Sequence, residues 1–471
     1  MTAQGGPAPA APGPDATPTA ALRGAHAGLA YGSLGLPLAF VALPLYVLLP
    51  AHYAATWGLP LGALGAVLLG ARLFDALADP LIGWRADHWL QVAQQRLPRV
   101  AWGAAALLLA GFIGLFFPPP GVQAAGEAAL LAWCAALLGL TYLGYSALTV
   151  LHQAWGTALG GDAAQRARVV AWREGLALLG VVLASVLPAL AGLGATSAVL
   201  GAALGLGLWA LARAPRPRPP PPSARAVHSS SLALPWRNPA FRALLGVYLL
   251  NGVASAVPAT LVLFFIRDRL GAPAWEPLFL ASYFTAAAAS LPLWVKFIAR
   301  RGLRPAWGAG MVLAVLSFSF AALLGTGDVA AFWAVCVASG LALGADLAAP
   351  GALLTGVVQR AGHSGQTEGR YLGWWHFATK LNLALAAGLA LPLLGALGYA
   401  PGAREPAALQ ALTLAYCALP CALKLAAAAL LWRWGPRIEP PPVAQTPPAP
   451  APHLPTLKPA TPAHPAKAPS P

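Results

Sequence analysis

Long apolar stretches, separated by short polar segments, run through most of the chain. A helix that crosses a bilayer needs about 20 predominantly apolar residues, and twelve stretches approach or exceed that length. We therefore predict an all-α integral membrane protein with twelve transmembrane helices in two six-helix halves. The predicted spans are 27–49, 59–84, 100–118, 127–157, 169–193, 195–213, 241–266, 275–299, 306–325, 329–358, 369–397 and 406–434.

Polar, Pro-rich segments flank and divide these stretches. We predict a disordered segment at 1–26, a cytoplasmic Pro-rich linker at 214–240 and a disordered Pro-rich tail at 435–471, which leave six-helix bundles at 27–213 and 241–434. The motif Ala-Trp-Gly occurs in basic loops after both the second and the eighth stretch, at 101–103 and 306–308. Parallel repeats of six helices are the plan of the major facilitator fold, which we predict here.

Composition supports a membrane protein and excludes a soluble one. The chain is 58% apolar and 9% charged, whereas soluble domains average about 25% charged residues. The net charge of +15 would be typical of a nucleic-acid-binding protein, but the basic residues cluster in alternate loops between apolar stretches. By the positive-inside rule we predict both termini in the cytoplasm. We also predict no nucleic-acid partner and, as the location, a bacterial inner membrane.

The second stretch carries the sharpest group of embedded charges, in ARLFDALADP at 71–80. Arg72, Asp75 and Asp79 are spaced so that they share one helical face. Charges inside a bilayer are expensive and are functional candidates by default. Two carboxylates with one guanidinium fit a site for a coupling cation, either Na⁺, Li⁺ or H⁺; the alternative is an internal salt bridge that only holds helices together. We expect no other cofactor and no metal site.

The eleventh stretch contains Lys380, which we expect to face a central cavity and pair with Asp75 or Asp79. The alternative is a lysine that reaches the membrane interface. Trp375 and His376 on the same helix are assigned to the substrate site. For Lys424 in the twelfth stretch we expect only helix packing or the same reach to the interface.

The fourth stretch has a polar and aromatic face that suits a polar ligand. It consists of Tyr145, Thr149, His152 and Trp155. Helix packing for the aromatic residues and a satisfied core histidine for His152 remain open alternatives. Arg173 near the start of the fifth stretch is a further substrate candidate, or else an ordinary pair with Glu174.

Three residues are predicted to act in gating. Arg85 and Asp87 follow the second stretch and suggest a latch between helices, and Asp346 is an embedded acid of the tenth stretch. Motifs for nucleotide binding, zinc hydrolysis or serine catalysis are missing, so we predict that the protein is not an enzyme.

Three segments resemble the glycoside–pentoside–hexuronide:cation symporter family. They are ARLFDALADPLIGWRADH, GDAAQRARVVAWREGLALLG and EGRYLGWWHFATKLNLALAAGLALPLLGALGY, and the resemblance covers about 27–434. It implies that Asp75 and Asp79 are cation-site carboxylates and that the hydroxyl of Ser146 assists them. It also places Tyr145, His152, Arg173 and Lys380 at a sugar site.

The sequence departs from the family at several positions. Ala78 replaces an Asn between the two carboxylates, Thr149 replaces an acid, His152 replaces a stacking Trp, and 31–40 lacks the family's sugar-binding acid. Coupling chemistry is therefore kept in part, while galactoside recognition is rebuilt.

We predict a secondary active transporter, a Na⁺- or H⁺-coupled symporter of a sugar or related polar organic solute that works by alternating access. The alternatives are a lysophospholipid transporter of the same fold and a membrane sensor that does not transport. The expected partners are a small-molecule substrate, the coupling cation and membrane lipid, and we expect a monomer.

Overall fold

A computed structural model of the chain describes residues 24–92, 97–216, 231–399 and 402–439. The predicted disordered residues 1–23, the middle of the predicted linker at 217–230 and the predicted tail from 440 onward lie outside the described residues. Within these ranges the chain is almost entirely helical and contains no β-strand. The predicted all-α class is confirmed.

Twelve long helical segments follow one another in the described ranges, and we number them α1 to α12. Nine are long and apolar enough to cross a membrane, and the bent pair that opens α1 makes a tenth. The other two, α2 and α11, carry Asp75, Asp79 and Lys380. The segments are α1 (Ala25–Gly32, Gly35–Leu43, Pro44–Leu48 and Leu49–Trp57), α2 (Leu61–Val92), α3 (Leu97–Phe116), α4 (Glu127–Leu159), α5 (Ala163–Pro188), α6 (Leu190–Arg213), α7 (Pro239–Arg269), α8 (Pro273–Arg301), α9 (Leu303–Ala321), α10 (Val329–Arg360), α11 (Glu368–Ala396) and α12 (Pro406–Ile438).

The predicted spans end too early at α1 and α2, which continue to Trp57 and Val92 instead of 49 and 84. The start of α5 also differs. This helix begins at Ala163 instead of 169, because the side chain of Asp162 accepts a hydrogen bond from the backbone N–H of Gln165 at 2.8 Å and caps the first turn. Gly160 and Gly161 precede it with φ values of +64° and +97°, which end α4. The hydropathy pattern did not reveal the first turn of α5, because its residues are polar and basic.

Consecutive spanning helices alternate in direction, so the loops α2–α3, α4–α5, α8–α9 and α10–α11 lie at one end of the bundle. We call it the basic end, after Arg99, Arg166, Arg301 and Arg360. Buried apolar residues of α1–α6 form one core. A second core within α7–α12 also takes in Ala154, Ala167 and Val170, so the two sets of six helices are in contact near the basic end.

The two faces of α2 differ as expected for a helix in a membrane: one is apolar and exposed, and the other carries the buried acids. Leu73, Leu77 and Leu81 are more than half exposed at the outer surface of the bundle, where lipid would contact them. Asp75 and Asp79 point the other way and are 2% and 0% exposed. Because lipid cannot solvate a charge, this orientation places both carboxylates against protein partners.

The two sets of six helices come very close where α2 crosses α11. Among the glycines of the described chain, those at this crossing make the shortest contacts between the two sets. A Cβ atom on Gly83 would overlap the carbonyl oxygen of Gly369, and one on Gly373 would lie 2.5 Å from the carbonyl oxygen of Asp79. Small residues at such a crossing let two helix backbones touch. The crossing therefore depends on glycine at these positions.

Replacing Gly83 with alanine should separate α2 from α11, because its new methyl group would meet backbone rather than a flexible side chain. Overpacking of this kind costs about 1–3 kcal/mol, and thermal unfolding of the purified protein measures it. Gly70→Ala is the matched control, since Gly70 lies on the same helix and a methyl group added there would have nothing within 4 Å. Equal stability of the two variants would contradict the close crossing.

Candidate functional site

The carboxylates of α2 meet an ammonium group from the other half of the chain. The Nζ atom of Lys380 lies 2.7 Å from Oδ2 of Asp75 and 2.7 Å from Oδ2 of Asp79. Both acids are buried, and the lysine side chain is 18% exposed. A single ammonium group thus bridges two carboxylates that would otherwise repel each other in a site of low polarity. The expected pairing of Lys380 with the α2 acids is present.

Ser146 of α4 completes this group, which we call the α2 carboxylate site (Asp75, Asp79, Ser146 and Lys380). Its hydroxyl donates to Oδ1 of Asp75 at 2.8 Å, and Lys380 donates to the serine oxygen at 3.3 Å. Carboxylate and hydroxyl oxygens are the ligands that hard cations prefer. The Lys380 ammonium lies among these oxygens. Arg72 lies half-buried one turn before Asp75 on α2.

The residues of the predicted polar and aromatic face of α4 lie in different surroundings. Tyr145 is half-buried and packs against the core of α1–α6. The buried hydroxyl of Thr149 has no hydrogen-bond partner among the described residues. Such an atom is uncommon in a folded protein and marks a place where a ligand or water can bind.

His152 is a buried contact between helices instead of an open ligand position. It is 1% exposed, its Nε2 donates to the carbonyl of Tyr31 at 2.8 Å, and the Tyr31 hydroxyl donates to the carbonyl of His152 at 3.2 Å. The two rings also pack, with centroids 4.6 Å apart. The Nδ1 atom of His152, however, is buried and has no hydrogen-bond partner among the described residues, so its substrate role stays a prediction.

Trp155 also lies away from the α2 carboxylate site. Its Nε1 donates to the carbonyl of Pro215 at 2.9 Å, just after α6 ends at the basic end. The indole therefore holds the ends of α4 and α6 together. The predicted substrate role of Trp155 does not fit this position, because a polar and aromatic periodicity does not reveal how far along the helix the ligand lies.

Arg173 forms the ion pair with Glu174 that the sequence left open. Its Nη2 lies 2.6 Å from Oε1 of Glu174, and both side chains are partly exposed. A methyl group added at Gly351 of α10 would lie 3.9 Å from the same nitrogen. The pair on α5 therefore faces α10, at the boundary between the two sets of six helices.

The predicted substrate residues of α11 have partners that the sequence did not reveal. Trp375 stacks on Tyr248 of α7, with ring centroids 3.8 Å apart and planes at 22°. The Tyr248 hydroxyl is 2.8 Å from the hydroxyl of Thr379. Nε2 of His376 is buried and has no hydrogen-bond partner among the described residues. Tyr248 and Thr379 could have been flagged as polar groups within apolar helices.

Asp346 belongs to a second group of charged and polar side chains, and its role in gating stays a prediction. Its Oδ2 lies 2.8 Å from Nζ of Lys424, which is 3% exposed. Asn251 and Trp307 each donate to Oδ1, at 3.0 and 2.8 Å. We call this group, with Ser255, the C-terminal ion cluster. Lys424 does not reach the interface, because α12 turns its amine toward α10 and α7, where it joins these helices through an ion pair and hydrogen bonds.

The two Ala-Trp-Gly motifs differ in what their tryptophans contact. Trp307 of α9 is 0% exposed and bonds to Asp346, whereas Trp102 of α3 is 51% exposed. The repeat thus preserves the position of the motif in the fold but not its environment.

Asp87 links the two sets of six helices at the basic end. Its carboxylate accepts hydrogen bonds from the backbone N–H groups of Gly369 and Arg370, at 2.6 and 3.1 Å, and pairs with the Arg370 guanidinium at 3.1 Å. A carboxylate at these first N–H groups of α11 is also favoured by the helix dipole. The predicted latch is thus present for Asp87.

Arg85 is the part of the predicted latch that the structure places elsewhere. It is exposed, and its guanidinium lies 5.9 Å from the ring centre of Trp89 on its own helix. A second contact between the halves, which the sequence did not single out, joins Arg166 of α5 to Gln359 of α10 at 2.9 Å.

No group of three or more His, Cys, Asp or Glu side chains in the described ranges is arranged to hold a metal ion. The four cysteines are free thiols.

Solved structures with the same fold are membrane transporters. A bacterial homologue of the iron transporter ferroportin, in an outward-facing state, is 16% identical and covers 87% of this chain and 99% of its own, with a TM-score of 0.67. FucP, the Escherichia coli fucose:proton symporter, in an outward conformation, is 14% identical and covers 85% of this chain and 98% of its own, with a TM-score of 0.61. At these identities the likeness establishes the fold, which is that of the major facilitator superfamily.

A sequence relative is the inner membrane symporter YicJ of Escherichia coli (strain K12). It is 27% identical over 160 residues, which are 34% of this chain and 33% of the relative. The match therefore spans a third of that protein's length.

The family described as MFS/sugar transport protein matches residues 28–435, which include all twelve helices apart from their outermost residues. This agrees with the fold and with the resemblance found in the sequence. The chain belongs to the MFS/sugar transport protein family, and it is a multi-pass membrane transporter and not an enzyme.

Proposed function

We propose that this protein is a cation-coupled symporter of a sugar or related polar organic solute, with Na⁺ or H⁺ as the coupling ion. The observation that carries the proposal is the Lys380 ammonium between Asp75 and Asp79, because the acids and the lysine come from different halves of the chain. The symporters among its relatives and structural neighbours support the same assignment.

Coupling would arise from competition for the α2 carboxylate site. A monovalent cation that binds Asp75 and Asp79 replaces the ammonium as their counter-charge and frees Lys380. The freed amine can then turn to the substrate, so that cation and substrate favour each other's binding. A coupling free energy of about 1–3 kcal/mol is usual for linked sites.

The substrate would bind between the halves, beside Lys380. The side chains that support this position are the Arg173–Glu174 pair, the Tyr248 hydroxyl and the buried, unpartnered nitrogen of His376. Hydrogen-bonding groups with an aromatic wall suit a polyhydroxy solute. Thr149, with its unpartnered hydroxyl, is a candidate on the opposite wall.

The basic end would face the cytoplasm of the bacterial cell, since positively charged loops remain on that side. Contacts of Asp87 with α11, and of Arg166 with Gln359, hold the halves together at this end. The described state would therefore be closed toward the cytoplasm, and transport would require these contacts to break.

Asp79→Asn should abolish substrate accumulation, because the site loses one of the two charges that bind the cation. Uptake by cells that express the variant, measured against a cation gradient, tests this. Cation-independent exchange of substrate should persist, which separates lost coupling from a misfolded protein. Accumulation at the wild-type level in the variant would show that the coupling site lies elsewhere.

Lys380→Met should raise the apparent affinity for Na⁺ or Li⁺ about tenfold, which is 1.4 kcal/mol, because the competing ammonium is gone. The same change should abolish accumulation. Cation-dependent thermal shifts of the purified protein report the affinity. Lys296→Met is the control, since Lys296 is exposed. Weaker cation binding in Lys380→Met would mean that the lysine assists the cation, and competition would be the wrong mechanism.

Asp87→Asn should open the basic end more often, because it removes the charge that pairs with Arg370 and caps α11. A thiol introduced by Ala167→Cys, at a fully buried position in the contact between the halves, should react with a maleimide about tenfold faster, a change of 1.4 kcal/mol. Asp162→Asn is the control, since Asp162 caps α5 within its own half. An unchanged rate in Asp87→Asn would remove Asp87 from the gate.

A further inference from the structure

The C-terminal ion cluster surrounds the Lys424 ammonium with oxygen atoms. Its Nζ lies 2.8 Å from Oδ2 of Asp346, 2.9 Å from Oδ1 of Asn251 and 3.0 Å from Oγ of Ser255. These atoms come from α10 and α7, while the lysine comes from α12. A carboxylate, an amide oxygen and a hydroxyl at these distances form a small oxygen cage around one positive charge.

Lys380, which is partly buried, and Lys424, which is buried, are held by the same chemistry. Lys380 and Lys424 each contact an aspartate oxygen and a serine hydroxyl at hydrogen-bond distance. Lys296, by contrast, is exposed. The arrangement that suits a cation at the α2 carboxylate site is therefore present a second time, within the other half.

The two sites differ in which parts of the fold they join. Lys380 and its carboxylates belong to opposite halves, so that a rocking motion would separate them. Lys424, Asp346, Asn251 and Ser255 all belong to α7–α12, so that they would move together. Only the first ammonium would then be exchangeable during a transport cycle.

The partners of Asp346 beyond the lysine make the cage rigid. Asn251 and Trp307 donate to its Oδ1 at 3.0 and 2.8 Å, which leaves Oδ2 toward the ammonium. A buried ion pair of this kind is not needed for stability alone, because apolar replacements of similar volume are often as stable. Removing one partner, however, leaves a buried charge without compensation.

We propose that Asp346, Asn251 and Ser255 form a second monovalent-cation site, in which the Lys424 ammonium is the resident cation. The site is complete without a free ion in the natural chain, and it accepts Na⁺, Li⁺, K⁺ or NH₄⁺ once the tethered ammonium is removed. This inference does not depend on the proposed symport.

The test is Lys424→Met, which keeps most of the side-chain volume and removes the charge. The purified variant is heated in choline chloride and in the chlorides of Na⁺, Li⁺, K⁺ and NH₄⁺. At least one small cation should raise the midpoint of unfolding by about 3 °C or more over choline. The shift should persist in Asp79→Asn/Lys424→Met, because the α2 carboxylate site is not its source.

Two controls isolate the charge of Asp346. Asp346→Asn/Lys424→Met removes both members of the pair and should give no cation-dependent shift beyond that of the wild type. Lys296→Met removes an exposed lysine and should behave like the wild type. Adding Asn251→Ala to Lys424→Met should reduce the shift, since it deletes one oxygen of the cage.

Absence of a cation-dependent shift in folded Lys424→Met would overturn the proposal, as would a shift that Asp79→Asn abolishes. If Lys424→Met can be purified only with a small cation present, the cage accepts a free ion and the proposal holds. If Lys424→Met cannot be purified in any of the salts, no free cation replaces the ammonium and the proposal is wrong. This holds whether or not Asp346→Asn/Lys424→Met can be purified.

Discussion

A charge inside a bilayer must be compensated by the protein, and this constraint organises the structure. Asp75 and Asp79 of α2, Asp346 of α10 and Glu174 of α5 each lie within 3 Å of a cationic group. The first two contacts join α2 to α11, and Asp346 is bonded to side chains of α7, α9 and α12. The outward face of α2, by contrast, is apolar and exposed.

The crossing of α2 and α11 joins the chemistry of the site to the closure of the basic end. Asp79, Gly83 and Asp87 are spaced four residues apart, so that they lie along one face of α2. On α11 they meet Lys380, Gly369 and the first N–H groups of the helix. In the proposed transport cycle, a change in the charge at one end of this face would act on the same helix contact that holds the other end, and no separate path through the molecule would be required.

Hydropathy and embedded charges were enough to predict the twelve helices and the pairing of Lys380 with the α2 acids. The reason is physical: a lysine in the middle of a spanning helix needs a counter-charge, and few were available. The pairing of Asp346 with Lys424 follows the same rule, but the sequence prediction assigned Lys424 to helix packing or to the interface and so left Asp346 without a partner. For His152 the sequence could not choose between a cavity and a neighbouring backbone, since a polar position on a helix can face either equally well.

The two Ala-Trp-Gly motifs place the same side chain in two different solvents. The motif follows the second helix of each set of six, yet Trp102 is half-exposed at the outer surface while Trp307 is enclosed and donates to Asp346. Tryptophans near a membrane boundary commonly lie at the level of the lipid headgroups, whereas the enclosed indole supplies a hydrogen bond within the protein. The same motif at the same place in the fold can thus serve either lipid contact or the compensation of a charge.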